Sequence, residues 1–211
     1  MKGVVSYFPR LIEDEVYYCG FSSALSYGAS SYFVRSPEGN WLIDAPRFIP
    51  HLVDRFEDWG GIRYVFLTHR DDVGEAGRYA ERFGSRRIIH EGDRDAVPGA
   101  EIVIRGHSPE ALVTGFVVIP VPGHTPGHCA LLYRDKFLFT GDHLYGDPER
   151  GALGAYRDYC WHDWAQQTRS VERLRDYRFE WVLPGHGRRL NLQADKMRAE
   201  LSDLAERMKS Q

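Results

Sequence analysis

Three apolar runs in this chain each end in a turn that carries an imidazole or a carboxylate. Val121-Pro-Gly-His-Thr-Pro-Gly-His-Cys129 presents His124, Phe139-Thr-Gly-Asp142 presents Asp142, and Leu183-Pro-Gly-His-Gly187 presents His186. A fourth motif, Leu67-Thr-His69, lies upstream. Imidazole and carboxylate groups on turns after buried strands are how a scaffold assembles a transition-metal site. Any one of these triplets occurs by chance. The set, in this order, points to metal-dependent chemistry on a small-molecule substrate.

The residues after His69 read Arg70-Asp71-Asp72-Val73-Gly74. In one reading Asp72 caps a helix that begins near Gly74. In the other, Asp71 joins His69, His124 and Asp142 as a metal ligand, and Asp72 serves as the proton-handling catalytic group. That set is harder and richer in oxygen than three histidines, which moves preference from zinc toward iron or manganese. His128 is expected to pack or hydrogen-bond near its turn, and His143 to point away from the site. His51, His107 and His162 read as surface or capping residues. Tyr156, Tyr159, Trp161 and Trp164 read as core packing beneath a long loop in preference to the floor of a pocket.

Elements that could position these groups follow from periodicity. Residues 1–45 favour strands, broken by Gly20, Gly28 and the Pro37-Glu-Gly-Asn40 turn. Pro50 to Trp59 reads as a helix, with Leu52, Val53, Phe56 and Trp59 on one stripe and Pro50 in its first turn. Val65-Phe66-Leu67 suits a strand buried on both faces. A second helix from Glu75 to Phe83, stopped by Gly84, precedes a short strand at Arg87–His90. The second half repeats the pattern: strands at Phe116–Val121, Ala130–Tyr133 and Lys136–Thr140, a helix at Trp164–Tyr177, and a strand at Trp181–Leu183. A final amphipathic helix runs from Leu192 to Met208, with Met197, Leu201, Leu204 and Met208 inward. Strand-rich halves, each backed by helices, predict an α+β protein built as a four-layer αββα sandwich of two mixed sheets. Its metal site would lie at the edge where both sheets end.

Composition sets the outer limits. A chain of 211 residues with 43% hydrophobic residues suits one domain spanning 1–211. Its 27 basic and 30 acidic residues balance to −3, with no basic block that would favour nucleic acid. The amino terminus, Met1 to Arg10, shows no apolar leader segment, and no run of eighteen apolar residues predicts a membrane span. Cys19, Cys129 and Cys160 are few and widely spaced, and read as reduced thiols in a cytoplasmic protein. Oligomeric state is left open.

The motifs together resemble the metallo-β-lactamase fold superfamily, including its glyoxalase II-like thioesterases and persulfide dioxygenases. Ser30–Val34 and Trp41–Ala45 look like that family's opening hairpin, with Asp44 ending its second strand, and His69, His124, Asp142 and His186 fall in the family's order. The first motif departs from the usual Thr-His-x-His-x-Asp-His. Aligned without a gap, Asp71 replaces the second histidine, while Val73 and Gly74 replace the aspartate and histidine that mainly hold a second metal. A two-residue insertion would bring Glu75 and Ala76 opposite that pair, and the histidine would still be missing.

The resemblance therefore implies a site with one divalent metal per chain, zinc or iron and also manganese. His186 is its final ligand or, with the second metal lost, a group that meets substrate or water. The first function implied is a hydrolase of small ester-, thioester- or phosphoester-like substrates using metal-activated water. A mononuclear non-haem iron oxygenase acting on a thiol or persulfide is the second, since two histidines and one carboxylate form that facial triad. A non-catalytic binding or regulatory protein with a decayed site is the third.

Overall fold

The computed structural model describes residues 7–147 and 149–211. Residues 1–6 of the amino-terminal stretch read for a leader lie outside them. In the first sheet, β1 (Arg10–Glu13), β2 (Val16–Tyr18), β3 (Tyr32–Val34) and β4 (Trp41–Ile43) pair antiparallel in sequence order. The sheet continues with parallel strands β5 (Tyr64–Phe66), β6 (Arg86–His90) and β7 (Ile102–Ile104). The second sheet contains β8 (Glu110–Val113), β9 (Phe116–Pro120), β10 (Cys129–Tyr133) and β11 (Phe137–Gly141). A hairpin of β12 (Tyr145–Asp147) and β13 (Ala152–Gly154) precedes the last strands of that sheet, β14 (Trp181–Pro184) and β15 (Leu190–Asn191). Its order is β15-β14-β11-β10-β9-β8.

Alternation along each strand divides the core into three layers. Trp41, Ile43, Tyr64 and Phe66 point at the second sheet, where they meet Phe116, Leu131 and Phe139. Trp41 stacks on Phe116 with ring centroids 4.2 Å apart, which ties the two sheets together. Leu42, Val65 and Leu67 face outward onto α1 (Pro50–Asp58) and α2 (Ala76–Phe83). Phe33 stacks on Phe56 of α1 at 4.5 Å and 7°. On the far side, Ala130, Leu132 and Leu138 lie under α3 (Trp164–Leu174) and α4 (Ala194–Lys209), and Met197, Leu201, Leu204 and Met208 of α4 are buried there. The four-layer αββα sandwich with mixed sheets is thus as the sequence implied.

Strand direction places the functional turns. β9 and β11 are each antiparallel to β10, and β14 is parallel to β11. The three strands therefore run the same way, and the turns after them, carrying His124, Asp142 and His186, emerge at one edge. β4, β5 and β6 are parallel, so Asp44, His69 and the segment after His90 share an edge of the first sheet. The Cys129 N–H donates to the Thr68 carbonyl at 2.8 Å, joining the two edges.

Several elements depart from periodicity. Strands β7, β8, β12, β13 and β15 are two to four residues long and only partly buried, too short for an alternating pattern to register. α3 stops at Leu174, three residues before the predicted Tyr177. Its last turn tightens, with Asp176 and Tyr177 donating to the carbonyls of Arg173 and Leu174. Cys19, Cys129 and Cys160 are all free thiols. No helix among the described residues is long and apolar enough to cross a membrane.

Candidate metal centre

His69 is held by a relay from β4. Asp44, at the strand's end, takes a left-handed backbone (φ 51°), which Asp tolerates better than most residues. Its Oδ1 accepts from the Thr68 N–H at 2.9 Å, and the Thr68 hydroxyl lies 3.0 Å from Oδ2. The same hydroxyl is 3.0 Å from His69 Nδ1. A hydroxyl that donates to a carboxylate must accept from the ring, so Nδ1 carries the proton and Nε2 is left bare toward the pocket. Burial pushes the Asp44 pKa up to about 8, against the N–H and O–H that Thr68 donates to it.

This relay carries a prediction. Asp44→Asn keeps the shape and the left-handed backbone but presents an NH2 where Oδ2 stood. Thr68 would then accept from that amide, and its hydroxyl proton is freed from Oδ2 to turn to His69 Nδ1, which lets the ring proton move to Nε2. Metal affinity is expected to fall about 10- to 100-fold, read by competition with a chromogenic chelator. Unchanged affinity would show that the relay does not set the tautomer.

Four side-chain atoms converge in front of this relay. His69 Nε2 lies 3.8 Å from Asp71 Oδ2 and 3.7 Å from Asp142 Oδ2, and His124 Nε2 lies 3.7 and 3.8 Å from the same two oxygens. These are too long for hydrogen bonds. Tetrahedral ligands about 2.1 Å from a metal stand about 3.4 Å from one another, so the set is a few tenths of an ångström wider than a closed site. Three of the four converging atoms, His69 Nε2, His124 Nε2 and Asp71 Oδ2, are buried without a hydrogen-bond partner, as is the other oxygen of Asp142, Oδ1. Buried polar atoms aimed at a common point without partners fit a cation between them. Burial also pushes the His124 pKa down to about 4, and His69 well below its usual value, so both rings are neutral and able to coordinate.

Asp72 is fully buried, with neither carboxylate oxygen partnered. It does not cap α2, whose N-cap Glu75 makes no side-chain cap bond. Arg70–Asp72 form a 3-10 turn, whose three residues per revolution splay neighbours by about 120°. Asp71 therefore reaches His124, while Asp72 turns to Asp142 and His69, whose ligand atoms lie within 4.8 Å of its own. Burial, then the charges of Asp142, Asp44 and Asp71, push its pKa well above the carboxylate range.

Glycines make this approach possible. A Cβ on Gly185 would stand 2.6 Å from Asp72 Oδ2 and 2.8 Å from Asp142 Oδ1. One on Gly141, at φ 49°, would meet the Thr68 hydroxyl at 2.5 Å. His186 meets the cluster through Asp142 Oδ2 at 3.8 Å, and its half-buried ring also faces the open cleft.

The remaining histidines divide. His128 stacks on His69 at 4.6 Å and 7°, and its Nε2 bonds the Thr140 carbonyl at 3.0 Å, the packing role expected of it. His143 is buried beside it. His51 bonds the Phe8 carbonyl at 2.7 Å. His162, read as a surface residue, lines the cleft.

Asp93 was not singled out from sequence. It lies in the turn after β6, in a run with three acidic residues, and is completely buried. Its carboxylate accepts from the Thr125 hydroxyl, from the Gly127 N–H at 3.2 Å and from the Arg70 N–H at 3.2 Å. One carboxylate thus binds both ligand-bearing loops, the one with Asp71 and the one with His124. Only its position after a strand parallel to β5 could have marked it.

The cluster floors a cleft of about 1050 Å³. Tyr156, Tyr159 and Trp161 form one wall, with Tyr27 on the opposite rim. This corrects the core-packing expectation for three of the four aromatics. The β12–β13 hairpin carries the following loop outward, and Trp161 stays 65% exposed. Trp164, in contrast, packs in the core beneath α4, its indole N–H donating to the Met208 carbonyl.

Comparison with known proteins agrees with this fold. The sequence profile of the metallo-beta-lactamase superfamily matches residues 13–206. The hydroxyacylglutathione hydrolase of Pelagibacter ubique (strain HTCC1062) is 33% identical over 89 residues, 40% of this chain and 37% of that enzyme. The beta-lactamase-like protein 2 homolog of Drosophila melanogaster is 27% identical over 191 residues, 80% of this chain and 62% of that protein. The chain thus spans less than two thirds of either relative. The crystal structure of TTHA1623 in a di-iron-bound form is similar with a TM-score of 0.64 and 26% identity, covering 82% of this chain and 93% of that one.

Proposed function

Because this chain belongs to the metallo-beta-lactamase superfamily, we propose that it is a metal-dependent hydrolase of small ester-, thioester- or phosphoester-like substrates. The observation that carries this reading is the convergence of His69, His124, Asp71 and Asp142 beneath an open cleft, with the facing atoms of His69, His124 and Asp71 buried and unpartnered. These four residues would hold one divalent ion, zinc, iron or manganese. When bound, it would polarise the scissile group's oxygen and lower the pKa of water to about 7. The likeness to the Pelagibacter hydroxyacylglutathione hydrolase favours thioesters within this class.

The chain's own residues supply the rest. Asp72 stands behind the ligands with both oxygens free of hydrogen-bond partners, where it would take the proton released by metal-activated water. His186 faces the cleft beside Asp142, where it can orient substrate. Asp71 would serve as a fourth protein ligand where a facial-triad iron oxygenase uses three, so the hydrolase reading is preferred.

One further observation bears on metal count. Asp44, Asp71, Asp72 and Asp142 place four carboxylates at or just behind one small site, more negative charge than a single divalent ion balances. A second ion between Asp72, Asp142 and His186 would make Asp72 a ligand in place of a base.

The test is elemental analysis of protein purified without a His-tag or added metal, paired with ester, thioester and phosphoester hydrolysis. About one ion per chain with chelator-sensitive hydrolysis supports the reading as stated, and about two reassigns Asp72. One iron with oxygen uptake on a thiol or persulfide, and no hydrolysis, supports the oxygenase. No metal retained after reconstitution would leave a binding protein.

A further inference from the structure

The rings on the cleft wall form a continuous line that ends at a ligand-bearing turn. Tyr145 stacks on Tyr156 at 3.9 Å and 12°. Tyr156 meets Tyr159 edge-on at 5.7 Å, and Tyr159 meets Trp161 edge-on at 6.2 Å. Trp161 then stands 6.4 Å from the His124 ring. Tyr159 and Trp161 are 57% and 65% exposed, and Tyr27 across the cleft is 79% exposed. Large apolar rings gathered on a concave surface mark a binding site, because exposing them to water is unfavourable unless something covers them.

The wall is fixed in place. The Trp161 N–H donates to the His124 carbonyl at 3.1 Å, and the Asp163 N–H to the Gly123 carbonyl at 2.9 Å. The Cys160 thiol donates to the same Gly123 carbonyl at 3.2 Å. Asp163 also caps α3 by accepting from the Gln166 N–H at 2.8 Å. The loop is thus pinned to the turn that carries His124, and its rings are positioned before any ligand arrives.

The charges of the cleft narrow what it would take. Its floor presents the carboxylates of Asp71 and Asp142. Arg70 is the Lys or Arg residue on its walls among the described residues, and its guanidinium is committed to Asp95 at 2.8 Å. A flexible carrier with several carboxylates finds no free cation here. A flat, uncharged ring system finds faces and edges at stacking distance.

We propose that the Tyr156–Trp161 wall, with Tyr27 opposite, binds an aromatic or planar conjugated portion of the substrate, holding the scissile group against the Asp71–His124–Asp142 floor. The inference rests on the hydrolase reading for what then happens to that substrate. The recognition step stands on the wall alone.

The test uses two thioesters of the same neutral thiol, N-acetylcysteamine. One carries naphthylacetyl and the other octanoyl, acyl groups of similar apolar size in which a methylene keeps the ring from conjugating with the carbonyl. The metal-loaded protein is expected to prefer naphthylacetyl about tenfold in kcat/KM, through KM. Tyr159→Ala and Trp161→Ala should each reduce that preference to threefold or less, with the naphthylacetyl KM rising more than the octanoyl KM. In parallel, calorimetry with the free acids should show naphthylacetate binding about tenfold more tightly than octanoate, with the difference lost in the double variant. Turnover of both thioesters without preference, or a preference that survives both substitutions, overturns the proposal and leaves the hydrolase reading intact. Neither thioester turned over, but naphthylacetate still preferred through Tyr159 and Trp161, upholds the wall and removes the hydrolase reading. Equal binding of the two acids overturns the wall whatever the kinetics show.

Discussion

Replacing His124 by alanine is expected to leave the protein folded, short of metal, and at least about a thousandfold slower in hydrolysis. The ring supplies one of four converging donor atoms, and its Nε2 has no other partner to keep it there. Asp71 and Asp142 would then face each other with one histidine fewer between them. Metal-ion catalysis contributes several kcal/mol of transition-state stabilisation. Each 1.36 kcal/mol is tenfold in rate, so the loss of about 4 kcal/mol gives about three orders of magnitude.

Folding should survive, because the backbone of this turn is held independently. Gly123 and His124 accept bonds through their carbonyls from Asp163 and Trp161, and Asp93 grips Thr125 and Gly127 from the other side. The matched control is His107→Ala, whose ring lies beside His90, away from the cluster. It should keep full metal content and activity. Stoichiometric metal and undiminished hydrolysis in His124→Ala would remove His124 from the site, and with it the four-donor reading.

How much of this was legible in the sequence depended on whether local pattern or packing decided the matter. His69, His124, Asp142 and His186 each follow an apolar run, and strand direction then carries all four to one edge. Burial of β10 and β11 on both faces is written in Cys129–Tyr133 and Phe137–Gly141 without reference to the rest of the chain. The pairing of Asp71 and Asp72 was not decidable in this way. A helix start at that point would have turned one carboxylate outward, whereas the observed 3-10 turn directs both into the site. Asp93 was invisible because its partners lie 23 to 34 residues away on other loops. The aromatic wall was misread for a similar reason. Tyr156, Tyr159 and Trp161 have a composition suited to a core, and only the folded chain shows that they stay exposed among the described residues.

Stripping metal from the protein is expected to lower its melting temperature by roughly 8–16 °C at mildly alkaline pH, and by less near pH 7.5. Metal bound to the folded state at a thousand times its dissociation constant contributes about 4.1 kcal/mol. For a chain of this size each kcal/mol moves the melting point about 2–4 °C. The pH dependence follows from burial. Asp142 is pushed up to about 6 and Asp44 to about 8, and Asp71 and Asp72 also move upward, all with burial as the leading cause. An unfolded Asp releases its proton near pH 3.9. Between that pH and its raised value, the folded state holds protons that the unfolded chain has released, so metal-free stability falls as pH rises toward about 8.

The histidines act in the opposite sense and in a lower window. His69, His124, His128 and His143 are pushed down by burial, so they withdraw stability only as pH drops below about 6.5, where the unfolded rings take up protons. Comparing pH 8.5 with pH 7.5 therefore leaves the histidines out and reads Asp44 in particular, since Asp142, at about 6, has already released its proton. Bound cations neutralise those carboxylates, so the metal-loaded protein should melt at nearly the same temperature at both values, and the gap between the two forms should widen with pH. Thermal melts by circular dichroism on chelator-treated and reconstituted protein read this directly. A gap that is absent, or that narrows as pH rises, would mean that the buried carboxylates are satisfied by something other than a cation, and the metal reading of the site would fall with it.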